Sequence, residues 1–335
     1  MCANLWDFIV TTAYLRRKMA KDKVTVGHLL ALFTCIIWGT TFISTKILLR
    51  SFSPIEILLC RFLIAFIALC LIYPHRLKVT DRKHEWYFAA SGLCGVTLYF
   101  LLENIALTYT LASNVGVIVC VAPFFTAIFA HLFLKGEKLK PQFFLGFVVA
   151  IVGIFLISFN GNTVLKLNPL GDILTVLAAA VWAVYSVLAK KISSFHYHTI
   201  QTTRRTFFYG LLTIIPALFL IKSDWNLQDI THFTGLPNLL NILYLGLGAS
   251  ALCFVTWNSA VKILGAVKTS AYIYLTPVIT IVTSSIVLHE QITWITLAGT
   301  ALTLTGLFVS EHKVSLRVKK AETNQQNIQN EETGL

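Results

Sequence analysis

Two ionisable side chains stand well inside apolar stretches: Arg61 in IEILLCRFLIAFIALCLI and Glu103 in VTLYFLLENIAL. Such a group costs about 2.5–3.5 kcal/mol at a bilayer centre, so it pairs with another or lines water. At about 1.5 Å per helical residue, Arg61 lies roughly 10 Å in from one end of its stretch and Glu103 roughly 8 Å in from the same face. Their depths allow an intramembrane charge pair, Arg61–Glu103. It is either a structural salt bridge or a charge-selective site open to proton coupling. Arg205 repeats Arg61, but Trp257 stands where a second acid would repeat Glu103, so proton chemistry at Glu103 would be asymmetric. Lys46 and Lys190, near the ends of their stretches, have stems long enough to snorkel to the interface.

Around these charges lie polar-edged aromatics and amides: Trp38, Tyr99, Asn104, Trp182, Tyr185, Trp257, Asn258, Tyr272 and Tyr274. With Glu103 they are the candidate lining of a substrate cavity, able to stack an organic solute and fix it by a few hydrogen bonds. Taken singly, each is as suited to core packing as to ligand contact. Pro123 and Pro277 fall in mid-stretch, where proline removes a backbone hydrogen bond and kinks the helix beside that cavity.

Other chemistry is not supported. Cys2, Cys35, Cys60, Cys70, Cys94, Cys120 and Cys253 show no CxxC spacing, and all but Cys2 read as buried apolar fillers. Neither a disulfide, a metal site nor a cofactor is expected. His196 and His198 share a loop, no HExxH or Walker A motif occurs, and Gly248-Ala249-Ser250-Ala251 is an ordinary small-residue run. The chain does not read as an enzyme.

The elements that position these groups occur twice. ENIALTYTLASNVGVIVCVAPFFTAIFAHLFLKGE (103–137) shares its plan with WNSAVKILGAVKTSAYIYLTPVITIVTSSIVLHE (257–290). Asn104, Ala106 and Pro123 match Asn258, Ala260 and Pro277 at an offset of 154, and Glu137 matches Glu290 at 153. Trp38, Lys46 and Arg61 match Trp182, Lys190 and Arg205 at 144. The closing stretches pair Gly146 with Gly299 and Gly153 with Gly306, giving each a small-residue face for scaffold or homodimer contact.

Of 335 residues, 56% are hydrophobic and 13% charged, about half the charge of a soluble domain. Apolar stretches run roughly 27–49, 54–73, 86–108, 112–134, 141–159, 169–190, 199–221, 238–260, 266–288 and 292–310, each near bilayer-spanning length. The predicted fold is an all-α membrane protein of ten transmembrane helices. An N-terminal segment, 1–26, precedes repeat 1 (27–159) and repeat 2 (169–310), and KAETNQQNIQNEETGL closes a polar tail, 311–335, of disordered character. Met19, directly ahead of the first stretch, suggests that residues 1–18 are an upstream extension or an interfacial helix. No signal-peptide cleavage pattern is present.

The net charge of +12 sits in short loops rather than on a basic stripe, which excludes nucleic acid as a partner. The N-terminus, the loops near 74–85, 135–140, 190–198 and 261–265, and the tail hold 19 Lys and Arg, against Arg50, Lys166 and Lys222 on the other side. Basic loops stay in the cytoplasm, so both termini should be cytoplasmic. Five spans per half is odd, so the halves enter the membrane with opposite polarity. Inverted repeats of this kind build alternating-access transporters.

The first stretch, CIIWGTTFISTKILL, and the paired cores IALTYTLASNVGVIVCVAPFFTAIFAHLFLKGEKL and SAVKILGAVKTSAYIYLTPVITIVTSSIVLHEQI resemble the EamA family of the drug/metabolite transporter superfamily. The closing stretches GFVVAIVGIFLI and GTALTLTGLFV are similar to that family too. The resemblance covers roughly residues 27–310. It implies two inverted five-helix repeats around a central cavity, with the fifth and tenth helices peripheral, in a bacterial inner membrane. It also implies transport, export foremost, of a small organic metabolite such as an amino acid. A scaffold or receptor component that moves nothing is the alternative, and it would have a centre packed with apolar side chains.

Overall fold

The computed structural model describes residues 2–134, 141–159, 169–220 and 235–311, and among them every regular element is a helix. Glu137 and the polar tail lie outside the described residues. The first half comprises α1 (Cys2–Leu48), α2 (Pro54–Ile72), α3 (Lys83–Tyr109), α4 (Ala112–Phe133) and α5 (Pro141–Phe159). The second comprises α6 (Pro169–Ser193), α7 (Thr199–Leu220), α8 (Leu236–Leu264), α9 (Ala266–Val287) and α10 (Trp294–Glu311). Seven are long and apolar enough to cross a membrane: α1 from Asp22 onward, α2, α3, α4, α6, α8 and α9. The other three fall at the positions of the remaining expected spans.

Local chemistry fixes where the helices start and turn. Ser53 and Pro54 open α2, and the buried Glu56 carboxylate accepts from the Ser53 N–H at 2.8 Å and its hydroxyl at 2.9 Å. This closes the first turn as a capping box does. Gly265, at φ +92°, joins α8 to α9 in a conformation that a side chain would strain.

Four helices are irregular, and the irregularities obey the repeat. α3 contains a π-helical turn at Leu93–Leu98 and α8 one at Tyr244–Leu252. α4 tightens to 3₁₀ at Val119–Val121 and α9 at Ala271–Leu275. Both 3₁₀ turns end just before a proline, and the reason is direct: Pro123 and Pro277 have no N–H to give the carbonyl four residues back. In α9 that carbonyl, on Ile273, accepts instead from the Thr276 N–H and from Cys120 Sγ of α4 at 3.1 Å. Cys120, expected only as an apolar filler, is thus also a donor.

Packing interlocks the halves. α1 lies on α8 and α9, while its counterpart α6 lies on α3 and α4. α2 packs on α8 as α7 packs on α3, and the pairs α2–α7, α4–α9 and α5–α10 join equivalent helices. Exchanging the halves leaves this contact set unchanged, as an internal two-fold requires.

The glycine faces of α5 and α10 are spent on each other within one chain. A Cβ on Gly153 would meet Thr303 N at 2.5 Å and Gly299 O at 2.6 Å; one on Gly306 would meet Gly146 O at 2.5 Å. These obstacles are backbone and cannot swing away. Gly153→Val should therefore destabilise the protein by about 1–3 kcal/mol, read as a lowered melting temperature in detergent. Melting identical to the parent would show that α5 and α10 do not depend on this contact.

Candidate functional site between the two halves

The interlocked helices enclose a cavity of about 30 Å³ lined by α1 (Trp38, Thr41, Phe42), α3 (Tyr99, Phe100, Glu103), α4 (Val119), α6 (Trp182) and α9 (Ile273, Thr276). That volume admits one or two waters. Its walls obey the repeat: Trp38 faces its counterpart Trp182, and Val119 and Ile273 are equivalent positions in the two 3₁₀ turns.

Aromatic rings form the body of the site. The Trp38 and Trp182 centroids are 5.1 Å apart, edge to face at 88°. Trp257 lies 4.9 Å from Trp38 and 5.9 Å from Trp182, and Tyr99 lies 4.8 Å from Trp182. Each such pair adds about 0.5–1.5 kcal/mol beyond area burial, which holds the rings in fixed orientations.

Polar atoms inside this cage are left without partners. Glu103, 2% exposed, lines the cavity beside Tyr99, and its Oε1 has no partner among the described residues. Trp182 Nε1 is likewise unpartnered, whereas Trp38 Nε1 donates at 3.0 Å to Ala249 O in the π turn of α8. Buried polar groups are almost always satisfied. Two side chains that line one small cavity therefore each carry a buried polar atom without a partner among the described residues.

Comparison with known proteins places this geometry. The model of the EamA-like transporter family matches residues 25–159 and again 169–311. The chain belongs to that family. It is therefore a multi-pass membrane transporter, in a family of transporters rather than enzymes. It is 27% identical over 290 residues to an uncharacterized transporter of Archaeoglobus fulgidus, covering 85% of this chain and 97% of that one. It is 27% identical over 300 residues to a probable amino-acid metabolite efflux pump of Escherichia coli K12, covering 87% and 96%. A solved crystal structure superposes with TM-score 0.59 at 19% identity, over 89% of this chain and 99% of that one. That likeness concerns the fold alone.

Against this EamA-like frame, the residues singled out from sequence divide. Trp38, Tyr99, Glu103 and Trp182 line the cavity. Trp257 is fully buried behind it, its Nε1 unpartnered. Tyr185 touches Trp182 at 4.8 Å but turns its hydroxyl to Asn258 Oδ1 at 2.8 Å, and Asn258 Nδ2 donates to Thr203 at 3.0 Å. Asn104 donates to Pro54 O at 2.9 Å. In each half, then, the amide ties the third helix to the region where the second begins.

Two expectations need correction. Arg61 and Glu103 make no salt bridge. Phe100, one turn before Glu103, takes the guanidinium at 4.2 Å from its ring centroid, Phe62 lies at 5.4 Å, and Arg61 Nε donates to Ser250 Oγ at 3.0 Å. A cation–π seat thus replaces the ion pair. The salt bridge among the described residues belongs to Arg61's counterpart, Arg205, which pairs with Glu85 at 2.5 Å. Tyr272 and Tyr274 do not line the cavity either. In a 3₁₀ turn, residues three apart share a face, so Ile273 and Thr276 point inward while Tyr272 bonds His28 at 2.7 Å. Pro123 and Pro277 follow directly on the two 3₁₀ turns and do not line the cavity. The wall is made by the residues four positions earlier, Val119 and Ile273.

Lys46 does not snorkel. Its ammonium donates to Leu107 O and to Thr110 O, the last carbonyls of α3. The first N–H groups of α4, on Ala112 and Ser113, donate to the Glu290 carboxylate at 2.9 and 3.1 Å. His289, left-handed at φ +54° after α9, turns the chain so that Glu290 reaches across to the other half. The repeated glutamate is thus a helix cap in trans. Glu290→Ala should cost about 1–2 kcal/mol, with Glu290→Gln recovering part of it in thermal melts. Equal melting of Ala variant and parent would remove this role.

Thr41, Phe42, Phe100, Val119, Ile273 and Thr276 were not singled out from sequence. Thr41 and Phe42 lie three and four residues after Trp38, on the same helical face, a signal that was present.

Proposed function

We propose that this transporter is a secondary carrier of a small organic metabolite, an amino acid or related solute, which it exports across a bacterial inner membrane by alternating access. Ten spans in two inverted five-helix bundles, both termini cytoplasmic, are the topology of this reading, supported by the distribution of Lys and Arg and by the odd span count of each half. The observation that carries it is the cavity between the two halves, where Trp38 meets its counterpart Trp182 and Val119 its counterpart Ile273, and where Glu103 Oε1 and Trp182 Nε1 have no partner among the described residues. A scaffold would have no use for unpartnered polar atoms at its centre.

The volume of about 30 Å³ fits a closed stage of the cycle, too small for a solute until the halves part. Glu103 is the group on which proton coupling would rest, since it is the acid on the cavity wall. The relatives named as amino-acid metabolite efflux pumps support both the solute class and the direction. The test is a metabolite screen by thermal shift on the purified chain, followed by flux in liposomes. A solute that raises the melting temperature and crosses the vesicle membrane saturably bears the reading out. Stabilising solutes that never cross would favour a receptor.

A further inference from the structure

A second recess lies away from the aromatic cavity, between α2 and α7. Where α2 ends at Ile72 the chain crosses towards α7, leaving a groove of about 510 Å³. The crossing segment is strapped down. Gln201 Nε2 donates to His75 O and Arg76 O at 3.2 and 3.3 Å, and Arg204 donates to Tyr73 O and His75 O at 2.6 and 2.5 Å. These bonds hold the exposed Arg76 and the half-buried Arg204 on one rim. Arg76 has no ion pair among the described residues. The third arginine there, Arg205, is committed to Glu85, and Tyr209 bonds the same carboxylate at 2.8 Å, so that acid is neutralised and does not oppose an anion.

Beneath the rim the groove is apolar, walled by Phe66, Cys70 and Phe208. It opens onto ridges that run away from the arginines. Leu63, Ile67 and Leu71 of α2 are 45%, 49% and 77% exposed at four-residue spacing; Phe208, Leu212 and Phe219 of α7 are 38%, 46% and 83% exposed. Helical spacing puts each set on one face. A cationic rim above a long apolar trough is complementary to an amphiphile with an anionic head; a soluble anion would have no use for the trough.

We propose that this groove holds one anionic phospholipid, its phosphate between Arg76 and Arg204 and its acyl chains along the α2 and α7 ridges. The proposal rests on the orientation given above, which sets residues 74–85 at the cytoplasmic surface, where the leaflet carries anionic lipids. Arg76 can present its planar fork to phosphate oxygens in pairs, while Arg204, held by Tyr73 O and His75 O, adds its charge beside it.

The test is native mass spectrometry of the purified full chain with phosphatidylglycerol and with phosphatidylcholine. One phosphatidylglycerol should be retained in preference to phosphatidylcholine. Arg76→Gln should weaken it about 5-fold, the share of one basic residue at a lipid surface, and Arg76→Lys should recover part of that. Equal retention of the two lipids, or retention unchanged in Arg76→Gln, would overturn the proposal. So would displacement by soluble glycerol phosphate at equal concentration, which would make the rim a site for a free anion. Solute flux is measured separately: flux lost with lipid selectivity intact counts against transport alone, and the reverse counts against the lipid site alone.

Discussion

Glu103→Gln is expected to slow transport by tenfold or more while membrane insertion and melting temperature stay near those of the parent. Gln keeps the volume of the buried side chain, so the packing of α3 is preserved. What it removes is the acid itself, whose Oε1 has no partner among the described residues. Hydrogen bonds to charged groups contribute about 1.5–3 kcal/mol, and about 1.4 kcal/mol is a factor of ten. A pH series separates the roles. If Glu103 carries the coupling proton, flux in the parent follows pH and flux in the variant does not. Normal flux in Glu103→Gln at every pH would exclude both solute contact and proton coupling at this position.

The second large effect is a contrast between two tryptophans that the repeat makes equivalent. Replacing either Trp38 or Trp182 by Ala should weaken solute binding by tenfold or more, since each supplies a ring to the cavity. The Phe variants are more telling, because they leave a ring and delete the N–H. Trp38 Nε1 is already bonded to Ala249 O, so Trp38→Phe should lower the melting temperature, at about 1–3 kcal/mol for the carbonyl left unpaired, with affinity little changed. Trp182 Nε1 has no partner among the described residues, so Trp182→Phe should leave melting in place and weaken binding about fivefold or more. Calorimetry and thermal melts on the same preparations read the two quantities. Melting that falls in all four variants, with affinity untouched, would make both tryptophans core residues.

The fold was legible because its signals are additive along the chain. Apolar stretches near span length and matched Trp, Pro and Gly positions survive any local error of boundary. The site was legible only in part, for three physical reasons. First, hydrophobic periodicity carries no mark of a π or 3₁₀ turn, yet the turns at Ala271–Leu275 and Val119–Val121 decide that Ile273 and Val119, not Tyr272 and Tyr274, face inward. Second, depth along a helix does not give azimuth. Arg61 and Glu103 are depth-matched, but the guanidinium sits over the Phe100 ring and forms no salt bridge with Glu103. Third, capping across the halves is invisible to local pattern. Lys46 and Glu290 read as an interfacial anchor and a helix end, and the packing of α1 and α9 against the α3–α4 connection makes them its two clamps.

In the proposed cycle one chamber, shared by the two halves, carries solute from one side of the membrane to the other. Counterflow in proteoliposomes tests it most directly. Vesicles loaded with an unlabelled solute that stabilises the protein are diluted into a trace of the same solute in labelled form. The account predicts transient uptake of label above equilibrium, at least tenfold slower in Glu103→Gln and in Trp182→Ala. Label that never rises above equilibrium for any stabilising solute would contradict it.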